Sequence, residues 1–301
     1  MDDILEEPDG NTIEITERYF KEVKLMYLEM RDKVNLYVKE SGQGIPCIFV
    51  HGGPGEGSLD FEVLGGNKLE GFMNMIYFDQ RGSARSEGDE ETDYSIDRLV
   101  EDMEEIRKKL GISKWIVMAH SFGGIIATNY ANKYGEAIDK LILLNVTLSM
   151  EDSFKSQIYH GSKLLSENEL KSIEAKSYME KWQQIVTRLI EKDIFYKLQY
   201  KEYDNFLKLR EVSNTIDSFN ASMANQGLIN KEYLKNYFDV TKKINIPVLV
   251  LAGNEDYAVG PDHHENFIFP NMKIKIISGK HMLYMENKEE VKSVIEAFIK
   301  S

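Results

Sequence analysis

Val117–Ile125, VMAHSFGGI, is the stretch whose reading decides the fold. An apolar run, KWIVMAH (114–120), stops at Ser121, and a helix-like segment, FGGIIATNYANKYG, follows at once. A serine on so tight a strand-to-helix turn is driven outward at the edge of a sheet, and the residues flanking it must be small to clear the crossing. Gly123 supplies one small residue; Ala119 supplies the other, with one methyl group more than glycine. A helix starting behind Ser121 adds a partly positive field, and the N–H of Phe122 is one expected donor to an oxyanion. An A-x-S-x-G match also arises by chance, so the reading depends on what the rest of the chain supplies.

Outward from this turn, short apolar runs alternate with helical stretches. IPCIFV (45–50), MNMIYF (73–78) and DKLILLNV (139–146) read as buried strands. SIDRLVEDMEEIRKKLG (95–111) reads as an amphipathic helix capped by Ser95 and ended by Gly111. EVKLMYLEM (22–30) and VNLYVKESG (34–42), joined by RDK, predict an opening antiparallel hairpin. From about 150 to 237 the chain turns charged, aromatic and helix-like, with no buried strand. Sheet grammar then returns in IPVLVLAGNED (246–256), MKIKIISG (272–279) and a closing helix, KEEVKSVIEAFIK (288–300). The pattern predicts an α/β fold with a mostly parallel central sheet and helices on both faces. Its core spans 1–149 and 238–301, and a helical insertion spans 150–237.

A nucleophilic serine needs a base, and the base needs an orienting acid. Asp256 follows one late strand and His281 follows the next, after a Gly-containing turn. The order Ser121, Asp256, His281, each after a different strand, is the order that suits a serine on such a turn. Glu255 is the alternative acid if the turn shifts by one residue. His120 adjoins Ser121 too closely to serve as its base, and His160 and His263 lack the strand–Gly–His setting. In FVHGGPGEG (49–57) the N–H of Gly53 is the expected second oxyanion donor, and Pro54 fixes the turn. A phosphate cradle would need a G-x-x-x-x-G-K-[ST] or G-x-G-x-x-G pattern, which this loop lacks. In YFDQRGSARS (77–86), Asp79 and Arg81 are expected to pair and to support the loop.

The formal net charge of −13 opposes binding to nucleic acid or an anionic membrane, because each phosphate would add repulsion. It suits a small-molecule or short-peptide substrate. No apolar run approaches a membrane span, and the acidic start, MDDILEEPDGNTIEITERYF, lacks the pattern of a secretory signal, so a cytoplasmic protein is expected. The single cysteine, Cys47, sits in a strand and reads as a core thiol. No metal-ligand spacing occurs, and His263-His264 reads as a polar helix face. Neither metal nor cofactor is expected, and the oligomeric state is left open.

With these residues placed, the sequence resembles the α/β-hydrolase superfamily, and within it the proline iminopeptidase (prolyl aminopeptidase) branch. The resemblance is carried by His51-Gly52-Gly53-Pro54-Gly55, by Asp79-Gln80-Arg81-Gly82 with Ser83 and Ser86, by the Ser121 turn with Gly123 and Gly124, and by the Asp256 and His281 contexts. It covers the chain outside the insertion, which sits where the family's cap domain sits. It implies metal-free hydrolysis through an acyl-enzyme, with the cap closing over the substrate's N-terminal residue. His51, Gly52, Pro54, Tyr178, Trp182 and Tyr257 are the expected substrate-binding positions. The departures are Ala119 and Ala84 where the family has Gly, and Phe122 where Trp or Tyr is common. Tyr257 follows Asp256, and Gln183 follows Trp182, at places where the family's amine-binding acids are expected. Glu211, Asp217 and Glu232 are the candidate substitutes. Two substrate classes remain open, an N-terminal proline or small apolar residue and a small carboxylic ester. An inactive scaffold of the same fold is the third reading.

Overall fold

The alternating apolar runs assemble into one sheet. The computed structural model describes residues 24–175 and 177–301, so the acidic start and Glu22 and Val23 of the expected first strand lie outside the described residues. Strands β1 (Lys24–Glu29) and β2 (Asn35–Gly42) form the expected hairpin, closed by the Met30 N–H donating to Val34 O at 2.8 Å. Strand β3 (Ile45–Val50) leads through helix α1 (Leu59–Leu64) to β4 (Met73–Phe78). Helix α2 (Ile96–Lys109), β5 (Trp115–His120), α3 (Gly123–Tyr134) and β6 (Ile138–Leu144) follow. Between β6 and the next strand lie α4 (Met150–Ser162), α5 (Glu167–Lys171), α6 (Tyr178–Glu191), α7 (Tyr203–Ser213), α8 (Ser222–Gln226) and the short α9 (Phe238–Thr241). Strands β7 (Val248–Gly253) and β8 (Met272–Ile277), then α10 (Leu283–Glu286) and α11 (Lys288–Lys300), complete the chain.

The strand order is β1-β2-β4-β3-β5-β6-β7-β8. The pairings of β1 with β2 and β2 with β4 are antiparallel, and all the others are parallel. Every residue of β5 is buried, as a strand covered on both faces requires. Its side chains alternate between two cores. Val117 and Ala119 face the core shared with α2 and α3, while Ile116 and Met118 face the one shared with α1 and α11. Cys47 belongs to the second core and is fully buried, which pushes its thiol pKa up. Ser95 caps α2 by accepting the Arg98 N–H, and Gly111 leaves the helix with φ +68°. Helices α4 and α6 pack together over a small core of Leu165, Ile185, Leu189 and Leu198. No helix among the described residues is long and apolar enough to cross a membrane.

Two details differ from the sequence expectation. Strand β6 ends at Leu144, not at Val146, because Asn145 takes φ +42° and turns its amide between the ends of neighbouring strands. The Asp79–Arg81 pair does not form. Consecutive turns at Gln80–Ser83 and Ser83–Ser86 bring Arg85, not Arg81, back over Asp79. Arg85 Nε donates to Asp79 Oδ2 at 2.6 Å and Nη2 to Oδ1 at 3.0 Å, while Ser58 gives Oδ1 two more bonds at 2.8 Å each. Arg81, wholly buried, grips Asp102 of α2 with two parallel bonds at 2.6 and 2.8 Å and reaches Asp32 of the hairpin turn at 2.7 Å. Arg98 joins the same Asp102. The segment after β4 is thus riveted to α2 and to the hairpin by forked charge-assisted bonds. Breaking a buried pair leaves an uncompensated charge, so Arg81→Met should lower stability in urea by about 3–5 kcal/mol. A loss below about 1 kcal/mol would show that the network is not what fixes this segment.

Candidate active site

Ser121 sits between β5 and α3 with φ +53°, a left-handed backbone that a side-chain-bearing residue adopts only under constraint. Three hydrogen bonds supply the constraint. The Ser121 N–H donates to Leu144 O at 3.3 Å, and its carbonyl accepts from Gly124 N–H and Thr147 N–H, both at 3.0 Å. The crossing is as tight as the sequence implied. A Cβ placed on Gly123 would stand 2.3 Å from Val50 O and 2.6 Å from His51 O, both backbone atoms. Ala119 is fully buried in register with Val50 of β3 and Leu143 of β6, so its methyl group is accommodated there.

The turn leaves Ser121 half-buried, with Oγ 3.0 Å from His281 Nε2. His281 Nδ1 lies 2.8 Å from Asp256 Oδ2. Asp256 has no exposed surface, and its other oxygen accepts the N–H groups of Ala258 and Val259 at 3.0 and 3.2 Å. Nδ1 therefore carries the proton toward Asp256 and Nε2 is left to accept from the serine hydroxyl. Burial alone would lower the His281 pKa, but the Asp256 carboxylate beside it raises it above the ordinary value. The same pairing outweighs desolvation at Asp256 and holds its carboxyl below the ordinary range. Glu255 points elsewhere in charge terms, neighbouring Lys280, so the acid is in the Asp256 register.

The loop after β3 faces this relay. Gly53 takes φ +114°, and its bond to Pro54 is cis. Neither the Gly53 N–H nor the Phe122 N–H finds a hydrogen-bond acceptor among the described residues. Phe122 itself is buried edge-on against Tyr233, centroids 4.8 Å apart, which ties the turn to the segment before α9.

Other expected positions have different tasks. His51 is buried with both ring nitrogens engaged, Nε2 accepting from Gln80 N–H and Nδ1 bonded to Gly52 O, both at 2.9 Å. It braces the loop and has no nitrogen left for a substrate, which corrects its placement among substrate contacts. Gly52 does border the relay: a Cβ there would stand 2.9 Å from Ser121 Cβ. Pro54 abuts Gly227 just beyond α8. Trp182 belongs to the α4–α6 pair, donating to Gln157 and packing on Phe154, and Tyr178 is exposed at the start of α6. Tyr257 stacks on His160 of α4 at 3.9 Å. None of these contacts reaches Ser121. Glu232 accepts the Ile96 N–H at the start of α2, and Glu211 and Asp217 are exposed. His263 is not on a polar face: its ring packs on Phe267 beside Asp256, and burial lowers its pKa to about 4.

The structure adds residues that sequence reasoning missed. His120 is buried and neutral, its pKa lowered to about 3, so Nε2 donates to His281 O at 3.0 Å. Asn145 donates to Lys280 O and His281 O and accepts from Gly253 N–H. Together they set the backbone of the His281 loop. Glu56, just after the glycine loop, also lies near the serine, and Asp60 is its charged neighbour. Their signal was legible as two acids in GEGSLD (55–60), immediately after the expected oxyanion turn.

A mostly parallel sheet, a strained serine on a strand-to-helix turn, and an ordered Ser–His–Asp relay over the C-terminal strand ends define an α/β-hydrolase. The chain belongs to the alpha/beta hydrolase fold family, which residues 45–288 match. It is 31% identical over 176 residues to a proline iminopeptidase of Neisseria meningitidis, a match spanning 55% of this chain and half the length of that relative. A proline iminopeptidase of Saccharolobus solfataricus is 27% identical over 293 residues, covering 88% of this chain and 89% of the relative. Among solved structures, a proline iminopeptidase-related protein from Thermus thermophilus superposes with TM-score 0.75 at 21% identity, covering 92% of this chain and 97% of that one.

The tight crossing gives a direct test. Gly123→Ala should cost about 1–3 kcal/mol, because backbone atoms must move to admit the methyl group. It should also lower hydrolytic activity by displacing Ser121. Unchanged stability and activity would contradict the close-approach argument.

Proposed function

We propose that the protein is a serine hydrolase working through an acyl-enzyme, and that it releases an N-terminal proline or small apolar residue from short peptides. The observation that carries the reading is the unbroken Ser121–His281–Asp256 hydrogen-bond chain. Ser121 Oγ attacks the acyl carbonyl while His281 Nε2 takes its proton. Asp256 holds the tautomer and stabilises the imidazolium. The N–H groups of Gly53 and Phe122 receive the oxyanion, each worth about 3–4 kcal/mol to the transition state. His281 returns the proton to the leaving amine as the C–N bond breaks. Water, activated by the same imidazole, then cleaves the acyl–Oγ ester. The helices between β6 and β7 act as the cap over a short-peptide substrate. The peptide preference is supported by the names of the curated relatives, which match most of the chain in one case and about half in another.

Turnover of L-prolyl-arylamide alongside short-chain nitrophenyl esters tests the substrate class. Amide release is expected. Ester hydrolysis with no amide release would make the protein a carboxylesterase instead. The pH profile follows from His281, which acts as a base only when neutral. Because its pKa is raised, the acid limb of kcat/KM should lie above the ordinary histidine value of 6.5, with activity lost as pH falls through it. Asp256→Asn should lower kcat by about 10⁴-fold. A limb below 6.5 in the unaltered protein would contradict the assigned pairing.

A further inference from the structure

Helix α4, the first of the helical insertion, lies against the turn that carries Asp256. Ser156, Gln157 and, one helical turn beyond Ser156, His160 face that turn. Ser156 Oγ donates to Tyr257 O at 3.0 Å, and Gln157 Nε2 donates to Ala258 O at 2.9 Å. The His160 ring stacks on Tyr257 with centroids 3.9 Å apart. The donor roles follow from the partners. A carbonyl only accepts, and the indole N–H of Trp182 on α6, which only donates, takes Gln157 Oε1 at 2.7 Å.

The two carbonyls belong to the two peptide groups that hold the acid. Tyr257 C=O shares a planar trans unit with Ala258 N–H, and Ala258 C=O shares the next with Val259 N–H. These N–H groups donate to Asp256 Oδ1 at 3.0 and 3.2 Å, and no other group among the described residues does. In a trans unit C=O and N–H point in opposite directions, so α4 grips each peptide from one side while Asp256 takes it from the other. Each unit links two hydrogen bonds end to end, and each bond polarises the next. With Oδ1 held, Asp256 Oδ2 faces His281 Nδ1 at 2.8 Å. The base loop is bonded to the insertion as well, but through backbone atoms, His281 N–H donating to Gln199 O at 3.0 Å. On the acid side the insertion holds the loop with side chains, which substitution can remove.

We propose that Ser156 and Gln157 are positioning residues of the relay: by orienting the 257–258 and 258–259 peptide groups they hold Asp256 in line with His281, so the hydrolase core depends on the helical insertion for the register of its acid. The inference rests on the Ser121–His281–Asp256 reading of the site. It makes α4 a fixed support rather than a free flap, because displacing α4 strips both carbonyls of their donors and loosens the acid.

Two readouts on the folded protein test this. The first is the proton on His281 Nδ1, followed by NMR as a downfield resonance in protein carrying isotope-labelled histidine and assigned by its loss in His281→Ala protein. The second is the rate at which a fluorophosphonate modifies Ser121, the P–Oγ bond forming as fluoride leaves and the serine proton passes to His281. With Ser156→Ala and Gln157→Met combined, the resonance should broaden or vanish, because a loosened Asp256 lets that proton exchange with water, and modification should slow by about 10- to 100-fold. Ser156→Thr, which keeps the hydroxyl, should retain both, as should Lys155→Ala at an exposed position of α4. Should the double variant lose cooperative thermal unfolding, Gln157→Glu carries the test, since it keeps an oxygen for Trp182 and removes the donor to Ala258. A resonance left in place, an unchanged rate, or an equal loss in Lys155→Ala protein overturns the proposal. Absence of the resonance from the unaltered protein would contradict the Asp256–His281 pairing and the proposal with it. If the unaltered protein shows the resonance but does not react with the probe, the serine hydrolase reading falls, and the resonance alone decides whether α4 positions the acid.

Discussion

The left-handed backbone of Ser121 is the constraint on which the rest depends. Its φ of +53° is unfavourable for a residue with a Cβ, and it persists because three backbone hydrogen bonds tie the residue to β6, α3 and the loop beyond β6. That geometry turns Oγ away from the sheet and toward His281. It also lets α3 start two residues on, at Gly123, and leaves the Phe122 N–H without an acceptor among the described residues. The crossing is possible only because Gly123 lies against the carbonyls of Val50 and His51.

The surrounding polar groups are arranged to keep this turn and its base rigid. His51 and His120 are both buried and, through burial, held neutral, each with a ring N–H spent on a backbone carbonyl. His51 shapes the Gly52–Gly53 loop and His120 shapes the His281 loop, so two buried imidazoles outside the Ser121–His281–Asp256 chain hold the backbone around it. Asn145 links the ends of β6 and β7 to the same His281 loop. The ionic clusters around Asp79 and Asp102 lie one step further out and anchor the loop after β4. Charge in the core is paired throughout these clusters. Glu56 and Asp60 are the contrast, since no lysine or arginine among the described residues is their charged neighbour.

Much of the fold was legible because periodicity reports burial directly. The buried strands and α2 followed from apolar runs and from Ser95 and Gly111. The relay was legible because Ser121, Asp256 and His281 each follow a strand in an order that one sheet can bring together. What escaped depends on directions that a sequence does not encode. Asp79 and Arg81 are two residues apart, yet the turns between Gln80 and Ser86 swing Arg85 onto Asp79 and send Arg81 to α2. His51 is in a loop beside the site, but its ring points back into the protein. Glu232, an acid of the insert, accepts the Ile96 N–H at the start of α2. Glu56 reads in the sequence as one more polar residue in a glycine-rich turn, and only the fold of the loop after β3 brings it near Ser121 across Gly52.

The central claim is that the strained turn makes Ser121 a nucleophile served by His281. Intact-mass and peptide mass spectrometry after reaction with a fluorophosphonate test it most directly. The account predicts one adduct per chain, located on Ser121, and its loss in Asp256→Asn and His281→Ala proteins that remain folded. Failure of the folded, unaltered protein to react at Ser121, or modification at a different serine, would contradict it.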